Sequence, residues 1–334
     1  MMNSLTFVQN LPQTPWQTEL QHAVRDPATL LKQLDLPTSL LTTVYNPARF
    51  ALRVPRGYVA RMRKADPNDP LLRQVLPLVT EQDKVAGFTL DPVGDQQSEK
   101  VTGLLHKYQG RVLLITTGAC AVHCRYCFRQ HFAYADAHPL REPAVWEYLQ
   151  AHTDIKEVIL SGGDPLTLTD KRLAEFVQRL ASVSHIQRLR IHSRLPIVLP
   201  ERITDDLLTL LTTSRLQSLL VVHTNHPNEL DLHVIDALHR LNRAGVTLLN
   251  QTVLLKGVND TAETLVQLSE QLFHAKVMPY YLNVLDRAQG TAHFEISLET
   301  AQGLLESLRC QLSGYLVPKL VREVAGAPYK VPVY

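Results

Sequence analysis

From Arg111 onward the chain alternates short apolar runs with amphipathic stretches. The runs begin near Arg111 (RVLLITT), Glu157 (EVILSGG), Gln187 (QRLRIHS), Gln217 (QSLLVVHTN), Val246 (VTLLNQTVLL) and Lys276 (KVMPYYLNVL). Brief runs rich in Val, Ile and Leu read as strands covered on both faces. After the first, their starts fall about 30 residues apart, the length of one strand-plus-helix unit. Between them, residues 169–181 place Leu173, Phe176, Val177 and Leu180 on one helical face. A second helix follows Glu229, aligns Leu230, Val234, Leu238 and Leu241, and ends at Gly245. A third starts at Asp260, with Glu263 three residues on as in a capping box. Repeated units of this kind predict an α/β fold, a parallel sheet with helices outside. Six units predict a partial (β/α)6 barrel, whose reactive groups belong at the C-terminal strand ends.

The first hundred residues differ. Helical spacing over Trp16–Val24, Pro27–Leu34 and Leu71–Leu78 is broken by Pro27, Pro37, Pro55, Pro67 and Pro70. The expected division is a helical region over 1–100, the barrel over 101–300, and a C-terminal helix and tail over 301–334. Charge adds little, since 34 Lys and Arg against 32 Asp and Glu leave +2, no case for nucleic acid or an anionic membrane. The first residues lack a charged segment followed by a long apolar one, so no signal peptide is expected. No apolar run approaches a membrane span. A cytoplasmic protein is the expectation.

Candidate chemistry begins directly after the first strand, where Cys120, Cys124 and Cys127 stand as C-x3-C-x2-C. The fourth cysteine, Cys310, is remote and is expected in the core. A 4Fe–4S cluster ordinarily takes four thiolates, and three leave one iron open to a ligand. The spacing favours such a cluster over buried filler, over disulfides, and over a zinc site completed by His123 or His131. Two residues past Cys127, Arg129 is suited to grip a carboxylate in bidentate fashion. The second strand ends in Ser161, Gly162, Gly163 and Asp164, where glycines let backbone approach a ligand and an acid can take an ammonium group. The later ends carry His192-Ser193-Arg194, His223-Thr224-Asn225-His226, Asn250-Gln251 and Tyr280-Tyr281, then Asp286. In the tail one lysine, Lys330, sits in a proline-bounded turn, and spacing alone reads it as a surface residue.

The cysteine spacing resembles that of radical S-adenosylmethionine (SAM) enzymes. Together HKYQGRVLLITTGACAVHCRYCFRQHF, ILSGGDPL, LRIHSRLP, HTNHPNE, LNQTVLLKGVND, MPYYLNVLD and the terminal lysine resemble the lysine 2,3-aminomutase family, from about His106 to Lys330. The resemblance implies a 4Fe–4S cluster on Cys120, Cys124 and Cys127, SAM, and pyridoxal 5′-phosphate (PLP) anchored by Lys330. It implies that Ser161 to Asp164 meet the methionine end of SAM and that His223 and Gln251 meet its ribose side. Lys107, Tyr108 and Arg111 fall where the family holds the PLP phosphate, with Lys107 replacing an arginine. Arg129 would grip the substrate carboxylate. Asp286 and Glu323, the latter replacing the family's aspartate, would face the distal ammonium of L-lysine.

The N-terminal text FVQNLPQTPWQTELQHAVRDPATLLKQLDLP, and an end four residues after Lys330, resemble the short proteobacterial members. Those prepare β-lysine for modifying elongation factor P, whereas clostridial members continue into a cysteine-bearing zinc segment. The resemblance therefore implies (R)-β-lysine as product, a functional link to the elongation factor P lysyl ligase and to elongation factor P, and an electron donor such as flavodoxin or ferredoxin. The alternative is a general aminomutase acting on free lysine or another cationic amino acid.

Overall fold

The computed structural model describes residues 16–45, 47, 50–134 and 139–334. The N-terminal text from Phe7 to Pro15 lies outside them. Ten strands form one sheet in chain order: β1 (Glu99–Val101), β2 (Leu104–Tyr108), β3 (Arg111–Thr117), β4 (Glu157–Gly162), β5 (Arg188–Ser193), β6 (Gln217–Val222), β7 (Thr247–Val253), β8 (Met278–Asn283), β9 (Lys319–Arg322) and β10 (Val331–Pro332). From β3 to β9 all neighbours are parallel. The β1–β2–β3 and β9–β10 pairings are antiparallel.

The six expected strands correspond to β3 through β8, and β9 adds a seventh parallel one. Its four residues, with only Leu320 and Val321 buried, are too short for periodicity to detect. Lys107 and Tyr108 lie on β2 itself. No ladder joins β1 to β10 among the described residues, so the barrel is open.

Crossover helices run over Pro143–Ala151, Asp170–Ser182, Asp205–Thr212, Leu232–Arg243, Ala262–His274 and Leu298–Gln311. Thr169, Thr204, Asp231, Thr261 and Ser297 cap five of them by accepting from a backbone N–H of the first turn. The third expected helix is thus capped by Thr261 rather than Asp260. Gly245 follows its helix at φ +92°, a conformation that favours glycine. Cys310 is exposed and not in the core. On its helix Ala301, Leu305 and Leu308 form the buried face, and position 310 points away from it.

The strands alternate sides. On β5, Leu189 and Ile191 are buried in the main core, while Arg190 and His192 line a central cavity. Before the barrel the helices are short: Trp16–Gln21, Pro27–Gln33, Arg56–Val59 and Pro70–Arg73. The expected segments were longer; prolines and the Asp26 and Asp69 caps confine them. Trp16, Leu30, Leu31 and Leu71 belong to the same buried cluster as Val158 and Leu189, so this region shares the barrel's core. Among the described residues, no helix is long and apolar enough to cross a membrane.

Candidate active site

A cavity of about 670 Å³ opens at the C-terminal strand ends. It brings together all of the candidate residues: the three cysteines, Ser161 to Asp164, His223, Gln251, Lys107, Tyr108, Arg111, Arg129, Asp286, Glu323 and Lys330. Most of them come from the C-terminal ends of parallel strands, which share one end of the sheet, whereas Arg111 opens β3 and Lys107 and Tyr108 end the antiparallel β2 beside it.

The cysteine wall follows β3. Burial pushes the Cys120 thiol well up, and Cys127 and Asp164 add to this. Cys127 is pushed to about 12 by burial and by Cys124. Raised thiols such as Cys120 and Cys127 become thiolates together beside a strong positive centre. Among the described residues, no group of three or more His, Cys, Asp or Glu is gathered to hold a single metal ion. A cluster makes no such demand, because each cysteine takes a different iron.

The glycines of β4 answer first to the protein. A Cβ on Gly162, at φ +116°, would lie 2.7 Å from the Thr117 carbonyl oxygen, and one on Gly163 would lie 2.4 Å from that of Ala119. Both let β4 press against the loop that carries Cys120. Asp164 is also spent internally. One carboxylate oxygen accepts from the Leu166 N–H (3.0 Å) and Ser193 hydroxyl (2.7 Å), the other from the N–H groups of Arg194 (2.7 Å) and Leu195 (3.1 Å). Its side chain ties β4 to the end of β5, and its own N–H donates to the Ala119 carbonyl oxygen at 2.7 Å.

His223 behaves differently. Its Nε2 has no partner among the described residues. Burial, then Arg194, Lys330 and Arg129, bring its pKa to about 4, so the ring is neutral at pH 7 and offers an unmatched hydrogen-bonding nitrogen. Gln251 Nε2 lies 3.4 Å from His192 Nε2 on the same side.

A chain of charges also lines the cavity, starting beside the cysteines at Arg129. Arg129 Nε donates to Asp95 Oδ2 (2.6 Å) and Arg129 Nη1 to the Ser161 hydroxyl (3.2 Å). Asp95 Oδ1 pairs with Lys107 Nζ at 2.7 Å. Burial alone would raise Asp95, but Arg129 and Lys107 hold it at about 2. Lys107 stands 3.7 Å from Glu323, which also accepts from the Tyr108 hydroxyl. Glu323 Oε2 meets Lys330 Nζ at 3.1 Å, and Asn283 Oδ1 accepts from that same nitrogen at 3.1 Å. Against burial, Lys330, Tyr108 and Lys107 keep Glu323 below the usual carboxylate range. Among the described residues Asp286 has no such partner: burial raises it to about 6, with Lys330 opposing and Glu323 adding. Arg111 stacks over the Tyr108 ring, 4.5 Å from its centroid.

Asp95 and Asn283 escaped sequence reasoning. Asp95 lies in a short helix, Asp95–Ser98, with no motif around it. Asn283 is the last residue of β8, and a strand-end position was its only signal.

An open α/β barrel with three cysteines on the loop after its first parallel strand defines the radical SAM class. The family model described as Radical SAM superfamily matches residues 114–269. A radical SAM methyltransferase from Sphaerobacter thermophilus shares this fold at 17% identity and a TM-score of 0.50, over 66% of this chain and 68% of that one. Closer relatives narrow the class. Proteins named L-lysine 2,3-aminomutase are 50% identical in Escherichia coli, over 95% of this chain and 94% of that protein, and 46% identical in Haemophilus influenzae, over 96% and 98%. The Clostridium subterminale protein of that name is 37% identical over 83% of this chain and 67% of its own length. The chain belongs to the L-lysine 2,3-aminomutase family of radical SAM enzymes. Membership implies a 4Fe–4S cluster and SAM, and the thiol set and the unmatched His223 nitrogen fit those groups.

Proposed function

We propose that the enzyme converts L-lysine to β-lysine, with the cluster on Cys120, Cys124 and Cys127, SAM between that loop and His223, and PLP anchored by Lys330. The observation that carries the reading is a single cavity lined both by three thiols and by an amine beside carboxylates. When bound, the cluster and SAM supply a carbon radical that removes a hydrogen, and PLP spreads the unpaired spin.

The protein's own part is orientation and exclusion of water. Lys107 and Arg111, with the Tyr108 hydroxyl, supply cationic and hydrogen-bonding groups for a phosphate. Arg129 supplies a fork for the substrate carboxylate, with Asp95 fixing its Nε side. Asp286 and Glu323 supply two carboxylates for a distal ammonium, a pattern that repels an acidic side chain. Arg129 and the paired acids hold the substrate by its two ends, so one carbon faces the radical.

Extended coverage of the Escherichia coli and Haemophilus influenzae relatives supports the narrower reading. In it the product is (R)-β-lysine, made in the cytoplasm and passed to elongation factor P by its lysyl ligase, with flavodoxin or ferredoxin as reductant. The test is anaerobic reconstitution with iron, sulfide, PLP, SAM, dithionite and L-lysine, followed by chiral chromatography. β-Lysine should form only with every component present. SAM cleavage without β-lysine would keep the radical chemistry and remove lysine as the substrate.

Asp286 yields a pH prediction. Its pKa of about 6, above the ordinary 3.8, means that the favourable neutral form is complete below 3.8 and lost as pH rises through about 6. Ammonium binding needs the ionised form. KM for lysine should therefore climb as pH falls through about 6. Asp286→Asn should raise KM at pH 8 by about 10–100-fold, the worth of one charged hydrogen bond, and should remove that pH dependence. Thermal melts at pH 8 should show the variant at least as stable as the wild type. An unchanged KM would remove Asp286 from the substrate site.

A further inference from the structure

We propose that Arg194 is a positioning residue that sets the reduction potential of the iron–sulfur cluster through Cys124. This rests on the reading that the three cysteines carry the cluster.

Arg194 follows β5 and is buried, 5% exposed. Its Nη1 donates to Cys124 Sγ at 2.7 Å. Its Nη2 is held by Gln74 Oε1 (2.7 Å), Glu229 Oε2 (3.0 Å) and the Tyr58 hydroxyl (3.1 Å). The guanidinium carbon lies 5.5 Å from the ring centroids of both Tyr58 and Tyr126. Nε has no partner among the described residues, which leaves one donor of a buried cation for a ligand. Glu229 is fixed in turn, accepting at Oε1 from the Asn225 N–H (3.0 Å), the His226 N–H (3.1 Å) and Gln74 Nε2 (3.1 Å). Tyr58 and Gln74 belong to the helical region before the barrel. That region therefore builds the far side of a clamp whose near side is a cluster sulfur.

A cluster gains one negative charge on one-electron reduction. A cation hydrogen-bonded to a ligating sulfur favours the reduced form and raises the potential. The carboxylate behind the cation attenuates this. The two residues therefore act in opposite directions, which separates tuning from mere support.

The experiment is EPR-monitored redox titration of the reconstituted cluster, without substrate, in wild type, Arg194→Met and Glu229→Gln. Arg194→Met should disfavour reduction about tenfold, a fall of about 59 mV for a one-electron couple. Glu229→Gln, which keeps Arg194 and removes its counter-charge, should shift the potential upward. Equal potentials in all three, or shifts of the same sign, would overturn the proposal. If Arg194→Met does not fold, Glu229→Gln decides alone, and a potential that is unchanged or lower counts against the proposal. A wild type that holds no cluster would remove the cysteine reading itself, an outcome distinct from a cluster with an unaltered potential.

Discussion

Lys330→Ala should yield a folded protein that has lost β-lysine formation by about 10³-fold or more, since the effective concentration of a placed amine far exceeds that of any free one. The structure says why the loss is chemical rather than structural. Lys330 touches Glu323, Asn283 and the face of Tyr281, and its side chain is 24% exposed. Without it, Glu323 keeps the Tyr108 hydroxyl and Lys107 and is not stranded, while Asp286 loses a nearby cation and is held more firmly in its neutral form. Binding of SAM on the cysteine side should persist. Three measurements check this: the visible absorbance of bound PLP, a thermal melt, and anaerobic turnover scored for β-lysine and for methionine. A variant that melts normally and still turns over at the wild-type rate would exclude Lys330 as the anchor.

Asp95→Asn should destabilise the protein by about 3–5 kcal/mol, as expected when one member of a buried ion pair is removed. Asp95 is 1% exposed and pairs with both Arg129 and Lys107. Its neutral replacement leaves the buried Arg129 guanidinium without its anion. Because the folded-state pKa is about 2 against an ordinary 3.8, this stability is present above 3.8 and lost as pH falls toward about 2. Urea unfolding at pH 7 should show the full deficit, and the gap to wild type should narrow below pH 3.8. A loss under about 1 kcal/mol would place the pair with weak surface bridges.

Much of the architecture was legible because parallel strands are buried on both faces and leave unbroken apolar runs. RVLLITT became a strand over its full length, EVILSGG one residue shorter, and QSLLVVHTN three residues shorter at its C-terminal end. Parts that depend on pairing rather than burial were not legible. β1, β9 and β10 are two to four residues long, and their hydrogen bonds leave no periodic trace. The site followed the same division. Cysteine spacing named one wall unaided, whereas Lys330 read as a surface residue until the family motifs around it were considered. Asp95 carried no local signal, since its significance comes from two cations that only the folded chain brings beside it. Asp164 shows the converse: its motif marked it for a ligand, yet all four of its observed donors are internal.

The second and ninth strands, each next to an edge strand, meet through side chains instead of a ladder. Tyr108 on β2 reaches Glu323 just past β9, across 215 residues of chain, and Lys107 joins them. A contact that closes so long a loop carries a large entropic debt and is expected to form after the local strand-and-helix units have assembled. Interactions absent from the folding transition state govern the rate of unfolding and hardly touch that of folding. The seam around the proposed ammonium site should therefore also act as a kinetic latch of the barrel, and a ligand bound there should lengthen the lifetime of the native state.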